Sequence, residues 1–408
     1  MTTNGRVFDA SRVRIAGPLE PYLVGFDAEL QRLGYRDFSA KIQLELVAYL
    51  SRWMAGEAVA VSALTPETVQ TFLAARRAAG YTYMRSTKAL GPLLDYLRQL
   101  SLVPTPSAAE RPQDPAEVLL DRYLRYLMGE WGVTVKTARD YVDLVRPFLA
   151  DRVQDGATVL APLTSADVSG FVVAECRRRQ PRAAQGVVTA MRSLLRFLHV
   201  EGLLAHSLLG AVPAYARRQQ ALPKGVDPAT VGALLGACDH SPAGRRDYAI
   251  LTVLVRLGLR CAEVAGLQLE DIAWRHGEIV VHGKGNRHDR LPLPVDVGEV
   301  LVDYLRSARP QSALDRCVFI RVKAPHRGLS PVGITQVVVS ASARAGVGWL
   351  TAHRLRHTAA TGMLAAGAPL AEIGQILRHQ RPRTTAVYAK VDLLALRPLG
   401  RPWPAGAA

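Results

Sequence analysis

With 408 residues, 49% of them hydrophobic and 21% charged, the chain is long enough for two or three domains and apolar enough to bury a core in each, which excludes a globally disordered protein. Its formal charge of +16 favours a polyanionic partner, either nucleic acid or an acidic membrane surface. Cys176, Cys238, Cys261 and Cys317 stand singly and no secretory apolar segment opens the chain, so a reduced, cytoplasmic setting without disulfides or a structural zinc site is expected; the apolar run from Ile250 to Val255 is far too short to span a membrane.

Three blocks are expected along the chain. The first covers 1–105 and ends in Val103-Pro-Thr-Pro-Ser, with Arg111-Pro-Gln-Asp-Pro just beyond; proline cannot continue a helix, so this stretch reads as a linker. The second covers 114–213, the third 222–396, and a tail occupies 397–408. The first two blocks read as copies of one another. Leu64-Thr-Pro-Glu-Thr-Val with Phe72 is echoed by Leu163-Thr-Ser-Ala-Asp-Val with Phe171, and in each the threonine (Thr65, Thr164) is placed to cap a helix with an acid in its first turn. Leu93-Leu94-Asp95-Tyr96-Leu97 is answered by Leu194-Leu195-Arg196-Phe197-Leu198 on helical spacing. Each block is expected to be a bundle of four or five helices.

The third block changes character. Asp247 to Leu257 predicts a strongly apolar helix that Gly258 can end. Ile279-Val-Val-His282 and Arg290-Leu-Pro-Leu293 flank Gly283-Lys284-Gly285-Asn286, which predicts a β-hairpin. Helical patterns resume over 297–306, 334–345, 353–366 and 371–377, giving a helical domain that carries a small antiparallel sheet.

Five elements of this block fit one reaction. Arg260-Cys-Ala-Glu263 opens a short helix after Gly258, and Lys284 sits in the hairpin turn. His353-Arg-Leu-Arg356-His357 starts a helix after Thr351, Leu377-Arg-His379 ends another, and Tyr388 follows in Thr384-Thr-Ala-Val-Tyr. Cutting a phosphodiester without a metal requires cations fixed around oxygens that gain charge in the transition state. Arg260 and Arg356 can supply planar forks that stay protonated. A tyrosine phenol can attack phosphorus and conserve bond energy in an ester, but with an ordinary pKa of about 10 it needs neighbouring cations or a base. Lys284, on a mobile turn, could protonate the departing sugar oxygen. Singly, these residues are ordinary packing or solvated side chains. His353 and His357 do not suggest a metal pair, because Arg354 and Arg356 would repel a dication and the acid of an HExxH motif is missing. Lys284 is not a P-loop lysine either, since Gly285 follows where Ser or Thr belongs.

Together the five elements resemble the tyrosine recombinase or phage integrase family. Leu257-Gly-Leu-Arg260-Cys-Ala-Glu263 is similar to its first-arginine box, and Gly283-Lys284-Gly285-Asn286 to its hairpin lysine. Thr351-Ala-His353-Arg-Leu-Arg356-His357-Thr looks like its HxxR box, and Leu377-Arg-His379 with Tyr388 like its closing segment. The resemblance spans about 222–391 and, more loosely, 114–213 as the family's core-binding domain. It implies a mainly α fold: two tandem helical (SAM-like) DNA-binding domains, then a mixed α/β catalytic domain with a small antiparallel sheet, closing on DNA as a C-shaped clamp. It further implies a site-specific DNA recombinase of integrase or transposase type that needs no metal, ATP or other cofactor. Arg260, His353, Arg356 and His379 would cradle the scissile phosphate, Tyr388 would form a 3′-phosphotyrosine, Lys284 would act as general acid, and Glu263 would orient the cations. The implied partners are double-stranded DNA with inverted-repeat core sites, a homo-tetramer assembled on it, and accessory or sister recombinases, with no membrane. Val391, Leu393, Leu394 and Leu396 could dock on a neighbouring subunit or on their own domain. Two departures stand out: Arg378 occupies a position where the family commonly has glycine, and the first block is additional, a second DNA-contacting or protomer-contacting domain. The competing readings are a type IB topoisomerase, which reseals the same strand, and a DNA-binding regulator with an inactive site. The duplicated helical blocks and the full set of competent residues favour recombination.

Overall fold

The computed structural model describes residues 15–104, 114–154, 157–158, 160, 163–214, 225–283, 287–379 and 382–391. The chain divides into two compact units, Met1–Thr105 with Ala221–Ala408, and Pro106–Gln220. Lys284, all of 105–113 in the linker, Leu393, Leu394, Leu396 and the 397–408 tail lie outside the described residues.

The first block forms α1 (Leu23–Arg32), α2 (Asp37–Gly56), α3 (Pro66–Ala78) and α4 (Thr87–Gln99). Helically spaced Phe26, Leu30, Leu44, Leu50, Met54, Phe72, Leu94 and Leu97 meet in one core. Thr65 caps α3, its Oγ1 accepting the Thr68 N–H at 3.3 Å, with Pro66 pre-set for the first helical position.

The second unit forms α5 (Pro115–Gly129), α6 (Val135–Ala150), a short antiparallel ribbon of β1 (Val153–Gln154) and β2 (Ala157–Thr158), α7 (Ser165–Arg178) and α8 (Pro181–Val200). Thr164 and Asp167 make a reciprocal capping box on α7: Thr164 Oγ1 accepts the Asp167 N–H at 3.3 Å, and the Asp167 carboxylate accepts the Thr164 N–H at 2.8 Å. Among the described residues each block thus has four α-helices, of which the third starts from a threonine cap. The fourth buries Leu93, Leu94 and Leu97 in one block and Leu194, Leu195, Phe197 and Leu198 in the other. Tyr123 is fully buried in the second core and spends its hydroxyl on the Ala190 carbonyl at 3.2 Å.

The remainder begins with α9 (Pro228–Gly236), α10 (Pro242–Arg256) and α11 (Cys261–Gly266). The helix expected from Asp247 starts earlier because Ser241 caps it, accepting the Gly244 N–H at 3.1 Å ahead of Pro242. A three-stranded antiparallel sheet follows, ordered β3 (Ile272–Ala273), β4 (Glu278–Gly283), β5 (Arg287–Pro292). The expected hairpin is β4–β5, with Ile279 opposite Leu291 and Gly283 opposite Arg287, so Ile279, Val281 and Leu291 face the core. Then come α12 (Val295–Ser307), α13 (Pro331–Arg344), α14 (Ala352–Ala365), α15 (Leu370–Ile376), α16 (Pro382–Thr385) and a closing 3₁₀ turn, Tyr388–Val391. Helix α10 packs against α12, α13 and α14, which is why Ala249, Ile250, Leu251, Val253 and Leu254 are all buried rather than one stripe of them. A separate small cluster holds Ala360, Ile373, Leu377 and Tyr388. Among the described residues no helix is long and apolar enough to cross a membrane.

Candidate active site

The site starts at the end of α10. Gly258 turns the chain with φ +60°, and a Cβ there would come 2.7 Å from Leu377 Cδ2 and 3.2 Å from Ala359 Cβ, so glycine is required twice over. Its carbonyl then accepts Arg356 Nη1 at 2.6 Å. Two residues later Arg260 caps α11. Glu263, in the first turn, reaches back to the Arg260 N–H at 2.8 Å and to its Nη1 at 2.6 Å. The Arg260 side chain is 45% exposed, whereas the Glu263 side chain is 4% exposed. Burial alone would raise the Glu263 pKa, but Arg378 and Arg260 outweigh it and hold the carboxyl below its ordinary value.

Arg356 lies on α14 and is 2% exposed. Besides Gly258 it donates Nη2 to the Leu377 carbonyl, so its planar fork is pinned between the ends of α10 and α15. Burial first, and then the neighbouring Arg260, lower its pKa to about 10, which leaves it charged at neutral pH. Helix α15 ends in a Schellman motif: the Arg378 N–H donates to the Gln375 carbonyl and the His379 N–H to the Gly374 carbonyl, both at 2.9 Å. Arg378 takes the left-handed position, φ +53°, where a side chain costs about 1–2 kcal/mol over glycine. Its Nη2 donates to Glu263 Oε2 at 2.7 Å.

That turn delivers His379, whose Nδ1 lies 2.8 Å from Thr385 Oγ1. Burial, helped by Arg356, Arg260 and Arg378, lowers the His379 pKa to about 4, so the imidazole is neutral at pH 7. Its ring stacks on that of Tyr388, with centroids 6.4 Å apart and planes 7° apart. Tyr388 is 2% exposed, and its hydroxyl lies 2.8 Å from His357 Nδ1. Burial raises the phenol's pKa and Arg356 opposes it without cancelling it, so the resting phenol keeps its proton. His357 is itself held at about 4 by burial, His353 and Arg356. A neutral imidazole there accepts the phenol's hydrogen. His353, exposed in the first turn of α14, stacks edge-on against His357 at 4.4 Å.

The structure therefore gathers Arg260, Glu263, Arg356, His379 and Tyr388, and links His353 to them through His357. Lys284 falls outside the described residues, although the two strands that carry its turn are present. Two contributors were not among the expected site residues. His357 could have been found from its place four residues after His353 and beside Arg356, which puts it on the same helix face. Arg378 showed only as an arginine where the family has glycine. Among the described residues no group of three or more His, Cys, Asp or Glu could hold a metal ion.

The family model described as the phage integrase family matches residues 224–393. The integrase/recombinase-like protein y4rA of Sinorhizobium fredii is 38% identical over 96% of this chain and 96% of its own length. The tyrosine recombinase XerC of Vibrio cholerae is 30% identical over 71% of this chain and 91% of its own. Among solved structures, the XerH site-specific recombinase bound to palindromic difH superposes with a TM-score of 0.56 at 16% identity, covering 71% of this chain and 97% of that one. The lambda integrase tetramer bound to a Holliday junction gives 0.54 at 15% identity, covering 79% and 90%.

Proposed function

The chain belongs to the phage integrase family of tyrosine recombinases and is a site-specific DNA recombinase; from that premise we propose how its own residues perform the reaction. The observation that carries the reading is the meeting, around Arg356, of a solvent-facing guanidinium, a neutral imidazole and a buried phenol that lie far apart in sequence.

Arg260 and Arg356 bind the non-bridging oxygens of the scissile phosphate and counter the charge that grows on them; removing one such donor typically costs roughly 10²- to 10³-fold in rate. Glu263 fixes Arg260 and does not touch DNA. His379, with Nδ1 turned to Thr385, offers Nε2–H to the same phosphate, and His353 contributes from the exposed end of α14. Tyr388 passes its proton to His357 as its oxygen bonds to phosphorus. The 5′-oxygen leaves with a proton from Lys284, giving a 3′-phosphotyrosine and a free 5′-hydroxyl. The hydroxyl of another duplex then attacks the ester and releases Tyr388, so no net bond energy is lost and neither ATP nor metal takes part.

Double-stranded DNA with inverted-repeat core sites is the substrate of this reading, and a homo-tetramer is the working assembly. The +16 charge supports the first, and the DNA-bound tetramer of the fold neighbour is consistent with the second. Residues 1–105 form a further DNA-contacting or protomer-contacting domain ahead of the core-binding domain at 114–213 and the catalytic domain at 222–396. The reaction takes place in the cytoplasm, where the DNA is.

Tyr388→Phe is expected to retain DNA binding and to form no covalent adduct on denaturing gels. An adduct with that variant would remove Tyr388 from the chemistry.

A further inference from the structure

Three features that each cost stability meet in one residue of the pocket wall. Arg378 holds φ at +53° in the turn after α15, a conformation that suits glycine and crowds any side chain. Its side chain is 6% exposed against a Glu263 side chain that is 4% exposed, so two charges have left water. Its Nε–H has no hydrogen-bond partner. Folding requires none of this. Glycine would serve the turn better, and Glu263 would still have the Arg260 N–H and Nη1 as partners. Strain that persists beside a reactive site calls for a functional explanation.

The geometry supplies one. Arg378 holds Arg260 by two routes: its own carbonyl accepts Arg260 Nη2 at 3.4 Å, and its guanidinium donates at 2.7 Å to the Glu263 carboxylate that also holds Arg260. With Arg260 as sole partner, Glu263 would cancel the charge of an exposed cation. With Arg378 present, two guanidinium groups share one carboxylate.

We propose that Arg378 is a positioning residue of the phosphate pocket, which orients Arg260 and neutralises Glu263 so that the charge of Arg260 is left for a DNA phosphodiester. This rests on the recombinase reading of the same site. Arg378 also faces His379, together with Arg356, Arg260, His357, Thr385 and the Tyr388 ring. After burial, Arg356 and Arg260, it is the next influence keeping that imidazole uncharged. Its loss therefore raises the His379 pKa.

The test uses the full chain and a pool of nicked duplexes of randomised sequence, from which substrates trapped by the wild type are recovered and used for rate measurements. R378G removes the charge while suiting the backbone, so it folds, as a melting curve will confirm. Its adduct formation is expected to slow by about 10- to 100-fold, below or at the low end of the loss for a direct phosphate donor. DNA retention on native gels should change little, the acid limb of the rate profile should move to higher pH, and R378K should restore part of the rate. R378G with wild-type rate and an unmoved pH profile would overturn the role of Arg378 alone. A wild type that forms no adduct with any member of the pool, and so behaves as Y388F, would overturn the recombinase reading and this inference with it.

Discussion

Arg356 and Tyr388 share a pocket wall but are held by very different amounts of packing. Arg356 rises from α14, whose Ala352 and Leu355 enter the large core built around α10, and its guanidinium is tied to carbonyls at the ends of two helices. Tyr388 opens a 3₁₀ turn and belongs to a separate cluster with Ala360, Ile373 and Leu377. Its hydroxyl is hooked to one imidazole. The contrast matches the chemistry. Cations that stabilise a transition state work best when they need no reorganisation, whereas a nucleophile must leave its resting hydrogen bond and move toward phosphorus. The cationic half is pre-built and the nucleophilic half is lightly latched.

The largest expected effect comes from breaking the rigid half. Arg356→Ala should slow adduct formation by roughly 10²- to 10³-fold. It should also lower the melting temperature, because the Gly258 and Leu377 carbonyls lose their partner and each buried unsatisfied group costs about 1–3 kcal/mol. Full stability with lost activity would mean that the anchoring is dispensable. Next comes the latch. His357→Phe removes the acceptor of the phenol's hydrogen, and single-turnover cleavage should fall toward the low end of the roughly 10²- to 10⁴-fold range for a positioned base, with native-gel binding unchanged. Cleavage at the wild-type rate would show that His357 only packs.

How much of this was legible in the sequence follows from how local each feature is. Gly258, Arg260 and Glu263 lie within six residues, so the break and the short helix that follows it could be read from spacing, whereas the part played by Glu263 came only from the family resemblance. The Thr65 and Thr164 caps and the hairpin register are local in the same sense. Strand β3 was not foreseen, because two residues carry no periodicity and Ile272–Ala273 is defined only by its pairing with β4. The His357–Tyr388 bond joins residues 31 apart, and the Arg378–Glu263 pair residues 115 apart. Neither leaves a pattern in the chain; only the fold brings them together.

Two core truncations sharpen the comparison through stability instead of rate. Ile250 and Ile373 are both fully buried, the first in the large core and the second beside Tyr388. Ile250→Ala should cost about 2–5 kcal/mol of global stability in urea unfolding. Ile373→Ala should cost less globally, since its small cluster can open by itself, and should speed amide exchange in α15 and the Tyr388 turn while sparing α10. Equal global losses and uniform exchange would erase the distinction between the halves.

Acid should find the same boundary, with the smallest effect. His357 and His379 are both lowered from 6.5 to about 4, chiefly by burial. Between those values the unfolded chain binds protons that the folded chain refuses, so stability falls as pH drops from about 6.5 toward 4 and is level above that range. Glu263 acts later. Its folded pKa lies below its ordinary value, so its contribution is present above about 4.5 and is lost only as pH falls further. Mild acid therefore penalises folding through the neutral imidazoles of the nucleophilic half while the Glu263 network beneath the cations stays intact. Urea midpoints measured from pH 7 down to 5 should decline in the wild type and decline less steeply in His357→Phe, which has one such imidazole fewer. Equal slopes would mean that His357 takes up its proton in the folded state without penalty, and that the latch on Tyr388 already opens near neutral pH.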